Sequence, residues 1–391
     1  LSDTPPAGPG AITPPSLTQT TLALTVGSVG LLMLGLQPLL LGAMVEQGRL
    51  TNDQLGLAAT AELLTLGLAM AVLAGGLKPT GIKLVNALGC TVLAVASLGS
   101  ILTAGYGFVV SRALAGLGSA LLVWIAVVVI TRNRAPDRVA GVFLTVQTLA
   151  QAGLAALLPL TAMVRWGVDG GLGALGVIAL ATLPASLFLQ DRFAVLPKPA
   201  SAGSGLPIAG LAGLVSVFFY MAGIVGLWVF VERLGTEAGA TEALTGIAVA
   251  AALAAQVTGS AAATFLTGRL PTVPVLALCA AGNIGLVALL GAHGGPVMFV
   301  AGVVLFGFLW LFALPFQTRL LIRLDPSRRS AMLLSAAQLL GGAVGPLVTA
   351  AFATEKALGG ALVADAGLFA AGLVVTAILR PGALPLDQAG A

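Results

Sequence analysis

Apolar residues run along this chain in long unbroken stretches, each closed by a short cluster of Gly, Pro, Asp, Arg or Lys. A helix rises about 1.5 Å per residue, so roughly 20 consecutive apolar residues cross a hydrocarbon layer. The pattern predicts twelve such helices, near 20–44, 53–75, 83–102, 106–131, 139–163, 172–190, 207–232, 244–267, 273–291, 296–321, 330–353 and 360–379. The longest polar break, Gln190 to Pro207, holds Pro197, Pro199 and the run Ser201–Gly205. Such composition is that of a linker. It divides the chain into a tail (1–19), a six-helix half (20–190), a linker (191–206), a second six-helix half (207–379) and a second tail (380–391). The Pro-rich start, Leu1 to Pro15, lacks a basic segment and a cleavage site, and is expected to be a disordered cytoplasmic tail rather than a signal peptide.

The charged positions add an orientation. Lys78, Lys83, Arg132, Arg134, Arg138, Arg192, Lys198, Arg269, Arg319, Arg323, Arg328, Arg329 and Arg380 fall on one side of the predicted map. Arg49, Arg165, Arg233 and Lys356 fall on the other. The positive-inside rule then puts both termini in the cytoplasm, the membrane being a bacterial inner membrane. The halves also repeat. A shift of 191 residues lays Arg132 on Arg323, Arg138 on Arg329 and Gln147 on Gln338. A shift of 192 lays Gly76, Pro79 and Thr80 on Gly268, Pro271 and Thr272. Two parallel six-helix repeats are a transporter plan, with the site between them near the bilayer midplane.

Composition excludes the soluble classes. Apolar residues make up 58% of the chain and charged residues 8%, against about 25% charged in a soluble domain. The net charge of +4 and pI near 9.5 come from residues scattered between apolar runs, so no nucleic-acid partner is implied. Cys90 and Cys279 lie in separate apolar segments and suit packing better than a disulfide or a metal site. There is no HExxH, no Walker loop and no GxGxxG after a strand, hence no enzyme, cofactor or metal is expected.

Motifs narrow the class further. The segment Ser111-Arg112-Ala113-Leu114-Ala115-Gly116-Leu117-Gly118 on the fourth helix and the loop Gly75-Gly76-Leu77-Lys78-Pro79-Thr80-Gly81-Ile82-Lys83 after the second resemble two patterns of the major facilitator superfamily. The first looks like its RxxxGxG pattern, whose arginine is linked to proton coupling in many members. The second is similar to its GxLxDRxGRK loop, but Pro79 or a neighbour stands where the acid belongs, which removes the usual charge latch between half-bundles. The resemblance implies an all-α membrane protein of two pseudo-symmetric six-helix bundles, working as a monomer by alternating access. Gly76, Lys78, Pro79 and Lys83 would form its conformational loop. The fifth helix lacks the Gly-Pro of drug antiporters, and a partial version, Gly341 to Pro346, lies on the eleventh instead. That tilts the expectation toward symport.

Polar groups inside predicted spans mark candidate chemistry. Glu62 falls within ~3 Å of the midplane and Arg112 roughly 10 Å from it, close enough for a long side chain to bridge much of the gap. A charge there costs about 2.5–3.5 kcal/mol unless paired or hydrated. One reading is an ion pair that ties two helices together. The other makes Glu62 the proton carrier and Arg112 its switching partner, because a nearby guanidinium lowers the proton affinity of a buried carboxylate. Gln37, Gln151, Gln256 and Gln338, with Arg112, are candidate substrate contacts, each with helix-to-helix bonding as its alternative. Tyr220, Trp228 and Trp310 join them because the first, fourth, seventh and tenth helices line the cavity in most members of the family. Glu232, Arg233 and Asp365 read as interfacial. The expected function is proton-coupled movement of a small organic solute, with an organic anion favoured by Arg112. A multidrug/proton antiporter is the nearest rival, and a lipid scramblase or sensor on the same scaffold is a rival of another class.

Overall fold

The computed structural model describes residues 14–134, 136–194, 206–267, 269–325, 329–354 and 357–379. Both tails beyond these limits, most of the expected linker, and Gly268, Arg328, Lys356 and Arg380 lie outside the described residues. Among the described residues, twelve helices are long and apolar enough to cross a membrane. The first six are Leu17–Glu46, Asn52–Gly76, Ile82–Ile101, Gly105–Ile130, Pro136–Leu157 and Ala162–Phe188. The second six are Ile208–Val229, Glu242–Leu266, Thr272–Gly291, Pro296–Leu324, Leu334–Ala351 and Gly359–Ile378. They form the two six-helix bundles that the sequence predicts.

Local chemistry sets the helix ends. Ser16 accepts a bond from the Gln19 amide and starts the first helix at Leu17. Thr51 and Gln54 form a reciprocal capping box on the second. Thr241 caps the eighth through the Leu244 amide. The sixth helix begins ten residues earlier than the predicted residue 172, at Ala162. The polar set Arg165, Trp166 and Asp169 hides this start from a hydropathy reading. Asp169 is bonded to Arg49 at 2.5 Å, and Arg49 also donates to the carbonyls of Ser100, Ile101 and Thr103. Gly167, at φ 57°, supplies the kink within that segment.

Small residues bring helices together, as lipid supplies no hydrophobic drive between them. Gly116 of the fourth helix lies against the Glu62 carbonyl and Thr65 of the second, and Gly118 lies against Gly89 and Leu93 of the third. Gly341 and Gly345 of the eleventh lie against the backbone of Phe218 and Ala222 in the seventh. The outer faces carry exposed Leu68, Val72, Leu84 and Val95, apolar side chains suited to lipid.

The loop after the second helix is pinned within its own half, without an acid in the loop itself. Asp191, beyond the sixth helix, accepts from the Lys83 amide at 3.2 Å, and its carbonyl accepts from the Ile82 amide. Pro79 is buried and its carbonyl accepts from the Phe193 amide at 2.8 Å. Lys78 and Lys83 are exposed, and Gly76 ends the second helix.

We call the end carrying Leu17 proximal and the opposite end distal. The halves meet distally. Gly56 of the second helix packs on Pro346 and Ala350 of the eleventh, and Gly246 of the eighth on Ala155 and Pro159. Hydrogen bonds join Asn52 to the Thr354 carbonyl (2.8 Å), Arg233 to Asn52 (2.6 Å) and Thr236 to Glu46 (2.5 Å).

Candidate functional site: a cavity between the halves

Below the distal contacts the halves part around a cavity of about 370 Å³. It is lined by Leu31, Gly35, Leu63, Met70, Gln147, Gln151, Trp228, Gln256, Trp310 and Gln338, among others. Several lining residues, including Met70, Leu144, Leu314 and Ser335, belong to the proximal halves of their helices, and Leu144 is exposed. The cavity therefore faces the proximal end and is closed distally. Among the described residues, no charged side chain lines it.

A break in the first helix shapes its distal wall. The helix interrupts at Leu31 and continues from Leu32. Pro38 follows inside the second piece, and its missing N–H leaves the Leu34 carbonyl without its helical partner. The Trp228 indole takes that place, with Nε1 donating to the Leu34 oxygen at 3.0 Å across the two halves. Gln151 Nε2 donates to the Leu31 carbonyl at 2.6 Å. Gly35 makes room for it, as a Cβ there would run into the Gln151 side chain. Trp228 also meets Trp310 edge-on, with ring centroids 5.6 Å apart. Buried donors and acceptors are costly to leave unpaired, and these contacts satisfy the broken backbone. Nearby, Gln338 donates to Gln317 at 3.3 Å, while Gln147 Oε1 and Gln256 Nε2 have no partner among the described residues.

The structure separates the predicted candidates into two groups. Gln151, Trp228, Gln256, Trp310 and Gln338 line the cavity. Tyr220, Gln37, Glu62 and Arg112 are not among its lining residues. Tyr220 is buried in the second half, where its hydroxyl donates to the Leu309 carbonyl at 3.0 Å and accepts from Asn283 at 3.1 Å. A polar tip with two protein partners explains why a tyrosine belongs there rather than against substrate. Gln37 is fully buried one residue before Pro38, and neither amide atom has a protein partner.

Arg112 and Glu62 form a two-pronged pair: Nη2 to Oε1 at 2.6 Å and Nε to Oε2 at 3.2 Å. Arg112 is fully buried and Glu62 is 4% exposed. A small void between the first, third, fourth and sixth helices touches Arg112, with Ser97 and Ser119 nearby. The third guanidinium nitrogen, Nη1, has no partner among the described residues. The arginine expected to offer positive charge to a solute is thus neutralised by Glu62 and turned into the first half.

Two carboxylates read as interfacial are buried instead. Asp365, 1% exposed, accepts from Thr349 at 2.6 Å beside Gly226 of the seventh helix. Glu232, 2% exposed, lies at the distal seam on the short helix Val231–Glu237. Glycine supplies the space in both cases, and a hydropathy window assigns no such meaning to glycine.

The sequence matches no protein-family model and no curated protein. Solved structures do match along nearly their whole length. A D-xylose-proton symporter aligns at 12% identity over 93% of this chain and 96% of its own, with a TM-score of 0.69. A nucleoside transporter aligns at 12% identity over 92% and 98%, with a TM-score of 0.68. A bacterial homologue of the human lysosomal transporter Spinster, in an inward-facing and unoccupied conformation, aligns at 14% identity over 93% and 95%, with a TM-score of 0.63. The twelve helices, their pairing into two bundles and these likenesses together give the chain the major facilitator fold.

Proposed function

We propose that this chain is a secondary active transporter that carries a small, uncharged organic solute across a bacterial inner membrane by alternating access. The observation that carries the reading is the cavity between the halves, sealed at one end and lined by glutamines, leucines and tryptophans without a charge. A pocket of that chemistry suits a solute with an apolar body and a few hydroxyl, carbonyl or amide groups. An organic anion would need a free cation, and Arg112 is occupied by Glu62 and directed away. A cationic drug would need a carboxylate, and none of the described residues brings one to the cavity.

Positive-inside orientation makes the proximal end cytoplasmic, so this conformation is the inward-facing one. Coupling to protons is assigned to Glu62 and Arg112. Protonation of Glu62 releases the guanidinium, whose Nη1 is already unpartnered within the bundle, and helices two and four can then shift against each other. The chain is expected to act as a monomer. The rival reading with support is export of lipophilic compounds, since much of the lining is leucine, methionine and tryptophan.

Quenching of tryptophan fluorescence tests the reading, because Trp228 and Trp310 lie at the cavity. The purified protein is titrated with a panel of neutral, anionic and cationic solutes, then reconstituted with an imposed pH gradient. Uncharged solutes should quench, Trp310→Phe should weaken that signal and leave only the Trp228 part, and the same solutes should accumulate or be expelled with the gradient. Quenching by anions or cations alone would overturn the assignment of solute class. Gradient-independent movement of labelled lipid, without solute transport, would favour the scramblase.

A further inference from the structure

The distal seam holds a carboxylate that the solute cavity and the Glu62–Arg112 pair leave unused. Glu232 belongs to the second half, yet its carboxylate lies directly over Gly42 of the first helix; any Cβ at that position would collide with it. The residue is 2% exposed, and its Oε2 has no hydrogen-bond partner among the described residues. Glu46, one turn beyond Gly42 on the first helix, supplies the largest like-charge effect on it. Glu46 also accepts from Thr236, one turn further along the short helix. Glu242, at the start of the eighth helix, adds a third negative charge. Arg233 is the opposing cation, and it also bonds Asn52 across the seam. The seventh helix carries no Asp, Glu, Lys, Arg or His, and the charged residues of the tenth, Arg319 and Arg323, lie toward its proximal end.

From this geometry we infer that Glu232 and Glu46 form a proton-binding site shared by the two halves, and that a proton held there locks the distal seam shut. The inference rests on the alternating-access reading and adds to it a second protonation site, outside the cavity and outside the Glu62–Arg112 pair. An ionised carboxylate with a bare buried oxygen is costly, and a neighbouring like charge adds to the cost. One proton removes both penalties: it neutralises Glu232 and bridges the two carboxyl groups. Burial, followed by the charges of Glu46 and Glu242, pushes Glu232 up to about 8, against the smaller opposing effect of Arg233. When the seam parts, the group meets water and returns toward the ordinary value of about 4.3. Opening is therefore the reaction closed-COOH to open-COO⁻ plus one H⁺ released to solvent.

The sign follows from linkage. The closed form binds the proton more tightly, so acid favours closure. The closed-to-open ratio falls up to about tenfold per pH unit as pH rises from about 4.3 toward about 8, and levels off above it. This is opposite to the usual behaviour of a salt-bridged carboxylate.

Pulsed spin-label distances across the distal end test the site. Labels are placed at Tyr106→Cys and Val297→Cys, both exposed at distal helix starts on opposite halves, in a Cys90→Ala, Cys279→Ala background reconstituted in nanodiscs. The short-distance population should grow from pH 9 to pH 5. Glu232→Gln should hold it high at every pH, and Glu46→Gln should move the response to lower pH by removing a neighbouring negative charge. A pH response that persists in Glu232→Gln, or a distribution that pH does not move, overturns the inference. If an uncharged solute identified by fluorescence still shifts the distances, alternating access survives that failure. If neither pH nor solute moves them, both readings fall.

Discussion

The crossing of the second and fourth helices and the crossing of the eighth and tenth are built on one plan with opposite chemistry. Gly116 and Gly307 are 191 residues apart, the offset that also relates Arg132 to Arg323. Gly116 lies against the backbone of Glu62, and Gly307 against the backbone of Ala252. At the same offset, Glu62 corresponds to Leu253 and Arg112 to Val303. Leu253 and Val303 are as buried as the ion pair they replace. The second half thus achieves its crossing with glycine and apolar contact alone. An ion pair is not needed to hold such helices together, which favours a working role for Glu62 and Arg112.

The largest expected effect breaks this symmetry from the charged side. Glu62→Gln leaves the Arg112 guanidinium buried without its counter-charge, and removing one partner of a buried pair costs about 3–5 kcal/mol. Thermal unfolding in detergent should show that loss, and Glu62→Leu with Arg112→Leu should recover most of it while abolishing pH-driven accumulation. Full coupling in that double variant would mean the pair is structural after all. Next come the glycines. Gly116→Ala and Gly307→Ala should each destabilise by about 1–3 kcal/mol through overpacking against backbone. Near-equal losses would show that both crossings depend on close approach in the same way.

A smaller effect separates the first half from the second at the cavity. Trp228→Phe deletes the bond to the Leu34 carbonyl, worth about 0.5–1.5 kcal/mol net, and should shift the spin-label distances toward the distally open form by about two- to tenfold. The smallest is Tyr220→Phe. It removes hydrogen bonds within the second half, where one such bond averages about 0.6 kcal/mol. Stability should fall slightly and solute quenching should not change, whereas Trp310→Phe should reverse that pattern.

These contrasts also mark what a reader of the sequence can reach. Long apolar runs carry the twelve helices because the hydrocarbon layer imposes that length and composition on any helix that crosses it. The sixth helix starts early because its first turns hold Arg165 and Asp169, the latter paired with Arg49 from a distant loop, and hydropathy cannot see a partner. The Glu62–Arg112 pair was legible because charge inside a span is rare. Which side chains face the cavity was not. Rotation of a helix is set by where glycines permit approach, so Tyr220 turns into its own half while Trp228, eight residues on, reaches the other. Glu232 was hidden for the same reason, as its burial depends on the missing side chain of Gly42.

The tether between Trp228 and Leu34 has a practical corollary for mutational scanning. Its acceptor is main chain, and it was created by deleting a donor four residues away rather than by adding a polar group. Every substitution at Leu34 leaves it in place, so a scan that changes one side chain at a time will score that position as apolar filler. The residue that controls the acceptor is Pro38. An alanine there would restore the amide, return the carbonyl to its own helix, and release the indole without touching either bonded residue.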